Sequence, residues 1–295
     1  MECYQEILTE LNQVIEQSPD DAKAIAHRGE TYRLTGHFEA ALADFDRAIE
    51  LNPTYSWAIA HRGETYYLIK RYEEALADFN RAIELTPDYT WALAHRGVTY
   101  EYMRHYEEAI SDLNRVIEQN PDYAWALAHR SRTYEQMKCY EKGLEDFDKA
   151  IALDETIIKD WKRERGLLLS FLERYAEAIE YYEQGLKEKP DDYFALYGLV
   201  STKTRWKGLA ETQPQIEEAC AALLSAANTK ARSIVLYGLG GFAALEGEVD
   251  RALNYLQEAI LLDNYRADTA NHDRVWLDLY SNLRFQALIK ETTKA

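Results

Sequence analysis

Residues that cross-link or interrupt a chain are scarce in this sequence. Its 295 residues include three Cys, six Pro and 13 Gly. Cys3, Cys139 and Cys220 lie far apart and form no Cys-x-x-Cys pair, which favours free thiols in a reducing compartment over a disulfide framework. So little Pro and Gly leaves no room for long linkers. Hydrophobic residues make up 47% of the chain, and this fraction excludes wholesale disorder.

Positive charge and long apolar runs are also limited. The chain has 34 Lys and Arg against 51 Asp and Glu, a net charge of −17. Because nucleic-acid binders concentrate positive charge, we expect no nucleic-acid partner. No apolar run reaches the length of a membrane span, and residues 1–6 lack the basic and apolar regions of a secretion signal. We therefore expect no membrane partner and a cytoplasmic location.

What the chain does contain is a repeated stretch. Trp91–Tyr100 recurs 34 residues earlier as Trp57–Tyr66 and 34 residues later as Trp125–Tyr134. A fourth copy, Lys23–Tyr32, begins with Lys instead of Trp. Prolines follow the same period, and each interval between them contains two helical patterns of apolar residues. These prolines are Pro19, Pro53, Pro87 and Pro121. A fixed period of this length indicates stacked helical units.

The repeat resembles the tetratricopeptide family. The first copy supplies Ile25, Gly29, Tyr32, Ala41, Phe45, Ala48 and Pro53, and the next two copies supply Ile59, Gly63, Tyr66, Ala75, Phe79, Ala82, Pro87 and Leu93, Gly97, Tyr100, Ala109, Leu113, Val116, Pro121. The resemblance implies an all-α, right-handed superhelical solenoid of about seven antiparallel helix pairs, with an N-terminal capping helix and a C-terminal cap. No catalytic or metal-binding motif accompanies the repeats, so we predict no enzyme and no cofactor.

The pattern weakens along the chain and predicts four segments. Residues 1–21 form a capping half-repeat, 22–190 form five repeats, 191–264 form two degenerate repeats and 265–295 form a cap. The fifth repeat follows a one-residue insertion near position 158, and Pro214 is expected to open the second helix of the sixth. The half-repeat at the start is compatible with a lone capping helix or with an array cut from a longer protein.

One face of the first helix in each repeat carries unexpected aromatic residues. The repeat is numbered so that Ala22, Ser56, Thr90 and Ala124 are position one. At about 100° per residue, positions two, six, nine and thirteen share a side that does not face the neighbouring core. Trp57, Trp91 and Trp125 occupy position two on this face. In the tetratricopeptide family this side lines the concave ligand groove, so the resemblance makes the indoles candidate anchors. Alternatively, each indole folds onto the preceding repeat and strengthens the stack.

Histidines occupy position six of the same helices, at His27, His61, His95 and His129. Equivalent residues of neighbouring units are too far apart to share a metal ion. A pH switch is a second interpretation, and neutral hydrogen-bonding to a ligand is the third and preferred one. Further candidate partner-binding residues on or beside this face are Glu64, Tyr67, Glu101, Tyr102 and Arg132.

A separate ladder of charged residues has a structural interpretation. Arg28, Arg62, Arg96 and Arg130 recur with the period, and so do Asp44, Asp78, Asp112 and Asp146 on the second helices. We predict that each Arg pairs with the Asp of its own repeat and does not bind an anion.

Three functions remain open at this point. The favoured one is a protein-interaction module that binds a peptide or protein segment in the groove. The others are a ligand-sensing or regulatory arm of a larger signalling or defence protein, and a structural scaffold that associates with itself.

Overall fold

The computed structural model describes residues 2–156, 164–226 and 231–291, and every regular element within these ranges is helical. The helices are α1 (Glu2–Gln17), α2 (Ala22–Leu34), α3 (Phe38–Leu51), α4 (Ser56–Leu68), α5 (Tyr72–Leu85), α6 (Thr90–Tyr102), α7 (Tyr106–Gln119), α8 (Ala124–Gln136), α9 (Tyr140–Leu153), α10 (Glu164–Phe171), α11 (Tyr175–Glu188), α12 (Tyr193–Lys207), α13 (Leu209–Ser225), α14 (Arg232–Leu245), α15 (Val249–Leu262), α16 (Tyr265–Asn271) and α17 (Leu283–Glu291), with a 3₁₀ helix at Arg274–Leu279. The all-α prediction is confirmed.

Contacts divide the chain into two compact units, Met1–Thr133 and Tyr134–Ala295, a boundary that the sequence did not predict. In the first unit, α2 packs on α3, α4 on α5 and α6 on α7. The second helix of each pair then contacts the first helix of the next pair. The predicted pairing of adjacent helices is therefore present, and the insertion predicted near position 158 lies outside the described residues.

Small residues allow the paired helices of the first unit to approach closely. A Cβ built on Gly63 would lie 3.2 Å from the Ala75 carbonyl oxygen and 3.2 Å from the Phe79 ring. A methyl group at such distances would force its neighbours to move by a few tenths of an ångström, so glycine favours the close crossing of these helices. Ile59 and Phe79 fill the space beside it and are fully buried.

The turn between paired helices has one recurring backbone conformation. Gly36, Lys70, Arg104 and Lys138 all have positive φ, between 59° and 79°. The His37 amide donates to the Tyr32 carbonyl at 2.8 Å and the Gly36 amide donates to Arg33 at 3.0 Å, a bonding pattern that ends a helix with a left-handed residue. The turn geometry is thus retained even where the sequence has no glycine.

The arginine ladder joins three helices at each step. Arg96 on α6 donates two hydrogen bonds of 2.7 Å to Asp112 on α7, and its remaining Nη1 donates to Asn80 on α5 at 2.7 Å. Arg28 makes the same contacts with Asp44 and Asn12, and Arg62 with Asp78 and Asp46. The predicted Arg–Asp pairs are confirmed for Arg28, Arg62 and Arg96, and the bonds to the preceding repeat are an additional link. The pair of Arg130 with Asp146 stays a prediction.

In the second unit the Tyr182 ring fills the space between neighbouring helices beside two glycines. Tyr182 on α11 lies where a Cβ on either Gly166 or Gly198 would come within 2.4 Å of its ring. Arg165 keeps the link to the preceding helix by donating to Asp148 at 2.7 Å, but its guanidinium lies 5.5 Å from the centre of the Tyr181 ring. Tyr181 stands where the earlier repeats have the paired Asp.

The described part of the C-terminal segment packs into the core of the second unit. Trp276 and Phe285 are fully buried, whereas Leu277 is exposed. Tyr197 and Tyr237 both donate to the buried carboxylate of Asp273, at 2.9 and 2.7 Å. These bonds fix the 3₁₀ segment against α12 and α14. None of the helices in the described ranges is both long and apolar enough to cross a membrane.

Candidate functional site

The predicted tryptophan and histidine rows form one continuous stack of rings in the first unit. Adjacent ring centres lie 4.0–5.3 Å apart along the whole series, which alternates histidine with tryptophan. The order is His27, Trp57, His61, Trp91, His95, Trp125, His129. The stack continues from α2 to α8, because α4, α6 and α8 each contribute one indole and one imidazole and α2 contributes His27. We refer to these seven residues as the ring stack.

Each indole also leans onto the repeat that precedes it. The Trp57 ring lies 6.4 Å from Phe45, and the Trp91 ring lies 6.4 Å from Phe79. Both indoles pack against the buried core and stay only partly exposed. The indole rings therefore pack against the preceding repeat, as the second interpretation of the tryptophan row predicts. The indoles do not stand open in the way that the anchor interpretation assumed.

A row of tyrosines supports the indoles and was not singled out from the sequence. Tyr55, Tyr89 and Tyr123 precede the tryptophans by two residues, and their rings lie 5.9–6.1 Å from the indoles. Burial raises the pKa of Tyr89 to about 12, with the nearby Tyr55 hydroxyl acting in the same direction. The signal for this row was the spacing of 34 residues, which is the same as that of the tryptophans.

A polar cluster lies beside the ring stack where the first two repeats meet. Arg33 donates to Glu30 at 2.6 Å and lies 3.2 Å from Glu64, while His61 Nδ1 is 3.1 Å from Glu30. Burial alone would raise the pKa of Glu30, but the hydrogen bonds from Arg33 and His61 outweigh it and lower that pKa to about 2. Burial raises the pKa of Glu64 to about 7 despite Arg33, and the charge of Glu30 adds to the rise.

A second polar cluster contains Glu101, His129 and Arg132. The Glu101 carboxylate accepts hydrogen bonds from Arg132 and lies 3.0 Å from His129 Nδ1. Burial opposes its charge, yet Arg132 and His129 hold the pKa of Glu101 below its ordinary value. Glu101 is buried, so the predicted ligand-selecting carboxylate is already engaged within the protein. Arg132 also lies 5.1 Å from the centre of the Tyr102 ring.

His95 lies between Trp91 and Trp125 in the ring stack and has a strongly altered pKa. Burial lowers the pKa of His95 to about 3, and the nearby His129 and His61 act in the same direction. This imidazole is therefore uncharged at neutral pH. Among the described residues, no group of three or more His, Cys, Asp or Glu could hold a metal ion.

The most exposed apolar side chains on this face come at the end of each first helix. Leu34, Leu68 and Tyr102 occupy position thirteen, seven residues after the histidines, and are 51%, 43% and 48% exposed. Seven residues are almost two helical turns, so these side chains lie on the same side as the ring stack. Tyr102 was predicted as a site residue, but the two leucines were missed. We refer to the ring stack with this row as the ladder face.

Comparisons with known proteins agree with this architecture. Sequence models of the tetratricopeptide repeat match residues 22–55, 63–103, 92–123 and 164–192. A tetratricopeptide repeat protein from Parabacteroides merdae ATCC 43184 is 17% identical, with a TM-score of 0.68 over 92% of this chain and 98% of that one. The chain belongs to the tetratricopeptide repeat family.

Two further solved structures share the repeat architecture. YrrB, described as a tetratricopeptide protein with an unusual peptide-binding site, is 21% identical with a TM-score of 0.53 over 63% of this chain and 96% of its own. The Cut9–Hcn1 structure from the APC/C gives 14% identity and a TM-score of 0.61 over 80% of this chain and 46% of that chain. No curated protein matches this sequence. At these identities the structures show a shared fold.

Proposed function

We propose that this tetratricopeptide protein is an interaction module that binds an extended peptide segment of a protein partner along the ladder face. The observation that carries the proposal is the row of exposed Leu34, Leu68 and Tyr102 beside the partly exposed ring stack. A solvated helix face is mostly charged, whereas exposed apolar side chains that adjoin a row of partly exposed aromatic rings are typical of a contact surface.

The ladder face has enough apolar surface to contribute useful affinity. Covering one Leu or aromatic side chain contributes about 1.5–3 kcal/mol before the costs of association. Three such side chains would offset the entropy lost by a short peptide and leave a modest net affinity. The repeat family consists in general of non-catalytic interaction modules, and we propose no catalytic role. The free thiols of Cys139 and Cys220 support a reducing, cytoplasmic compartment.

The test uses a randomised dodecapeptide display library panned against the full chain. Selected peptides should bind the wild type and lose at least tenfold in affinity for the variant Leu34→Ser/Leu68→Ser/Tyr102→Ser. The matched control is Leu51→Ser/Leu85→Ser, because these leucines are 39% and 40% exposed but lie on second helices. Equal losses in both variants, or selection of no peptide at all, would refute the proposed site.

A further inference from the structure

The helix α1 has an apolar side that the rest of the described chain leaves open. Four apolar residues recur along it at spacings of three and four, which places them on one stripe of the helix. They are Tyr4, Ile7, Leu11 and Val14. Tyr4, Ile7 and Val14 are 39%, 37% and 43% exposed, and Leu11 is half-buried. We refer to these four residues as the α1 stripe.

The internal repeats show what covers an equivalent stripe. The α1 stripe lies three periods of 34 residues before Tyr106, Ala109, Leu113 and Val116 on α7. Ala109, Leu113 and Val116 are fully buried, because α6 packs along α7 with Gly97 facing this side. In the same way α2 packs on α3 and α4 packs on α5. The α1 stripe therefore has the pattern of a surface that receives a helix like α6.

A carboxylate beside the α1 stripe also lacks a partner. Glu10 lies three periods before Asp112, which accepts two hydrogen bonds of 2.7 Å from Arg96 on the covering helix. The same pair of bonds forms in the two preceding repeats. Glu10 is exposed, and none of the described residues forms a hydrogen bond or an ion pair with it. At α1 the arginine ladder thus has its acceptor without its arginine.

The charge of α1 restricts the kind of helix that fits. This helix contains four glutamates and no lysine or arginine, so it favours a covering helix that carries positive charge. Lys23, at the start of α2, is exposed and forms no ion pair with Glu10, so it leaves this carboxylate free. Contact between the α1 stripes of two copies would bring like charges together, which disfavours a second copy as the partner.

The size of Ile7 restricts the covering helix further. The equivalent residue on α7 is Ala109, and a Cβ on Gly97 would already lie 3.4 Å from its carbonyl oxygen. Because Ile7 is larger, it would hold a covering helix farther away and would need a small residue opposite. The side chain of Glu10 is one methylene longer than that of Asp112, so it can reach an arginine across the wider gap.

We propose that the α1 stripe docks an amphipathic helix of a protein partner, with an arginine bonded to Glu10 and a glycine or alanine opposite Ile7. The partner helix would lie on α1 in the way that α6 lies on α7. This surface is separate from the ladder face, so the inference does not rest on the peptide proposed there and is tested independently of it.

The probe is a synthetic peptide of residues 87–105, blocked at both ends, because it contains α6 with its flanking residues. A free helix of this length is marginal in water, so the peptide should gain helicity when it binds. We expect it to shift the backbone ¹H–¹⁵N signals of residues 4–17 in NMR spectra of the full chain. If these signals do not move at about 1 mM peptide, the inference is wrong.

A variant of the stripe identifies the docking surface. Tyr4→Gln/Ile7→Gln/Val14→Gln removes exposed apolar side chains and keeps a good helix former at each position. It should weaken peptide binding by about tenfold or more. The matched control is Leu51→Gln/Leu85→Gln, whose leucines are 39% and 40% exposed on other second helices, and it should bind like the wild type. Circular dichroism checks that both variants stay helical, and equal losses in both would overturn the assignment.

An exchange of charges tests the ion pair without relying on apolar contacts. The peptide variant Arg96→Glu should bind the wild-type chain about tenfold more weakly. The chain variant Glu10→Arg should restore most of that affinity, and it should weaken binding of the unchanged peptide. Full affinity of the Arg96→Glu peptide for the wild type, or no recovery with Glu10→Arg, would contradict the proposed pair.

Sedimentation of the full chain tests the alternative occupant, a second copy. We expect no self-association through the α1 stripe, because its carboxylates would repel each other. A dimer that dissociates in the Tyr4→Gln/Ile7→Gln/Val14→Gln variant would mean that a second copy covers the stripe, and it would overturn the proposal of a partner helix.

Discussion

The Arg96 side chain donates hydrogen bonds to Asp112 and Asn80 on the two neighbouring helices. Its positive charge compensates the buried charge of Asp112. The Asp112 side chain is 5% exposed and that of Arg96 is 17% exposed. Asp112→Ala leaves the Arg96 guanidinium largely buried, with Asn80 as its remaining hydrogen-bond partner among the described residues. We expect the free energy of unfolding, measured with urea, to fall by about 3 kcal/mol.

The control for this prediction is an ion pair of the same kind at the surface. Arg71 and Glu74 are 49% and 44% exposed and lie 2.6 Å apart. Because water screens such pairs, Glu74→Ala should lower the free energy of unfolding far less than Asp112→Ala does. If the two variants cost the same, the arginine ladder does not stabilise the stack in the way that its geometry indicates.

Glu64 gives a prediction that depends on pH. Its pKa in the folded protein is about 7, above the ordinary value of 4.5. A raised carboxyl pKa means that the folded state binds the proton more tightly than the unfolded state. The stabilisation is therefore full below about pH 4.5 and is lost as the pH rises through 7.

Glu64→Gln keeps the shape of the side chain and removes this titration. The variant should gain about 2 kcal/mol relative to wild type between pH 5 and pH 8 in urea unfolding. Glu74→Gln provides the exposed comparison and should show no such gain. If the difference in the free energy of unfolding between wild type and Glu64→Gln stays constant across this pH range, Glu64 does not have the raised pKa that its burial indicates.

Residue-level details were predictable only where a periodic pattern determined them. The Arg–Asp pairs followed from two residue types that recur at one fixed offset. The direction of the indoles did not follow, because helix periodicity gives the side of a helix but not the rotation of a side chain. The burial of Glu101 depends on Arg132 in the next repeat, and no local pattern contains that information.

At the scale of helices, Gly166 and Gly185 make a matched pair in the second unit. A Cβ on Gly166 would lie 2.3 Å from the Tyr182 ring, whereas one on Gly185 would meet only Ala195 at 3.9 Å. Both substitutions gain the same helix propensity, up to about 1 kcal/mol. We expect Gly166→Ala to destabilise by about 1–3 kcal/mol through overpacking, and Gly185→Ala to be neutral or stabilising.

A double variant identifies the cause of the Gly166 effect. Tyr182→Ala removes the ring that the new methyl group would meet, so the costs of Gly166→Ala and Tyr182→Ala should be strongly non-additive in urea unfolding. Additive costs would mean that the backbone of α10, and not the Tyr182 ring, rejects the methyl group.

Helix boundaries were predictable from the prolines in the regular repeats and less so in the degenerate one. Pro53 and Pro87 follow the ends of α3 and α5, as the period indicated. Pro214 was expected to open the second helix of the sixth repeat, but it lies inside α13, which begins at Leu209. Gly208, with a φ of 89°, makes the turn earlier. Pro214 is the sixth residue of this helix and lies beyond its first turn, so the backbone hydrogen bond to the Ala210 carbonyl is lost there.

At the scale of the whole chain, stability should be local to each unit. The buried clusters around Phe79, around Phe147 and around Phe242 each lie within a single unit. In a repeat array each helix pair contacts only its neighbours, so stability is approximately a sum of local terms. The sequence predicted this array but not the boundary after Thr133, because the period continues unbroken across it.

Hydrogen exchange followed by mass spectrometry tests this locality with the two destabilised variants. Asp112→Ala should speed exchange in peptides from residues 2–133 and leave residues 164–226 close to wild type, because the lost ion pair stabilises only the first unit. Gly166→Ala should do the reverse. Gly185→Ala controls for the effect of substitution itself and should slow exchange or leave it unchanged. If either destabilising variant speeds exchange equally in both ranges, the chain unfolds as one cooperative body and its stability is not local to each unit.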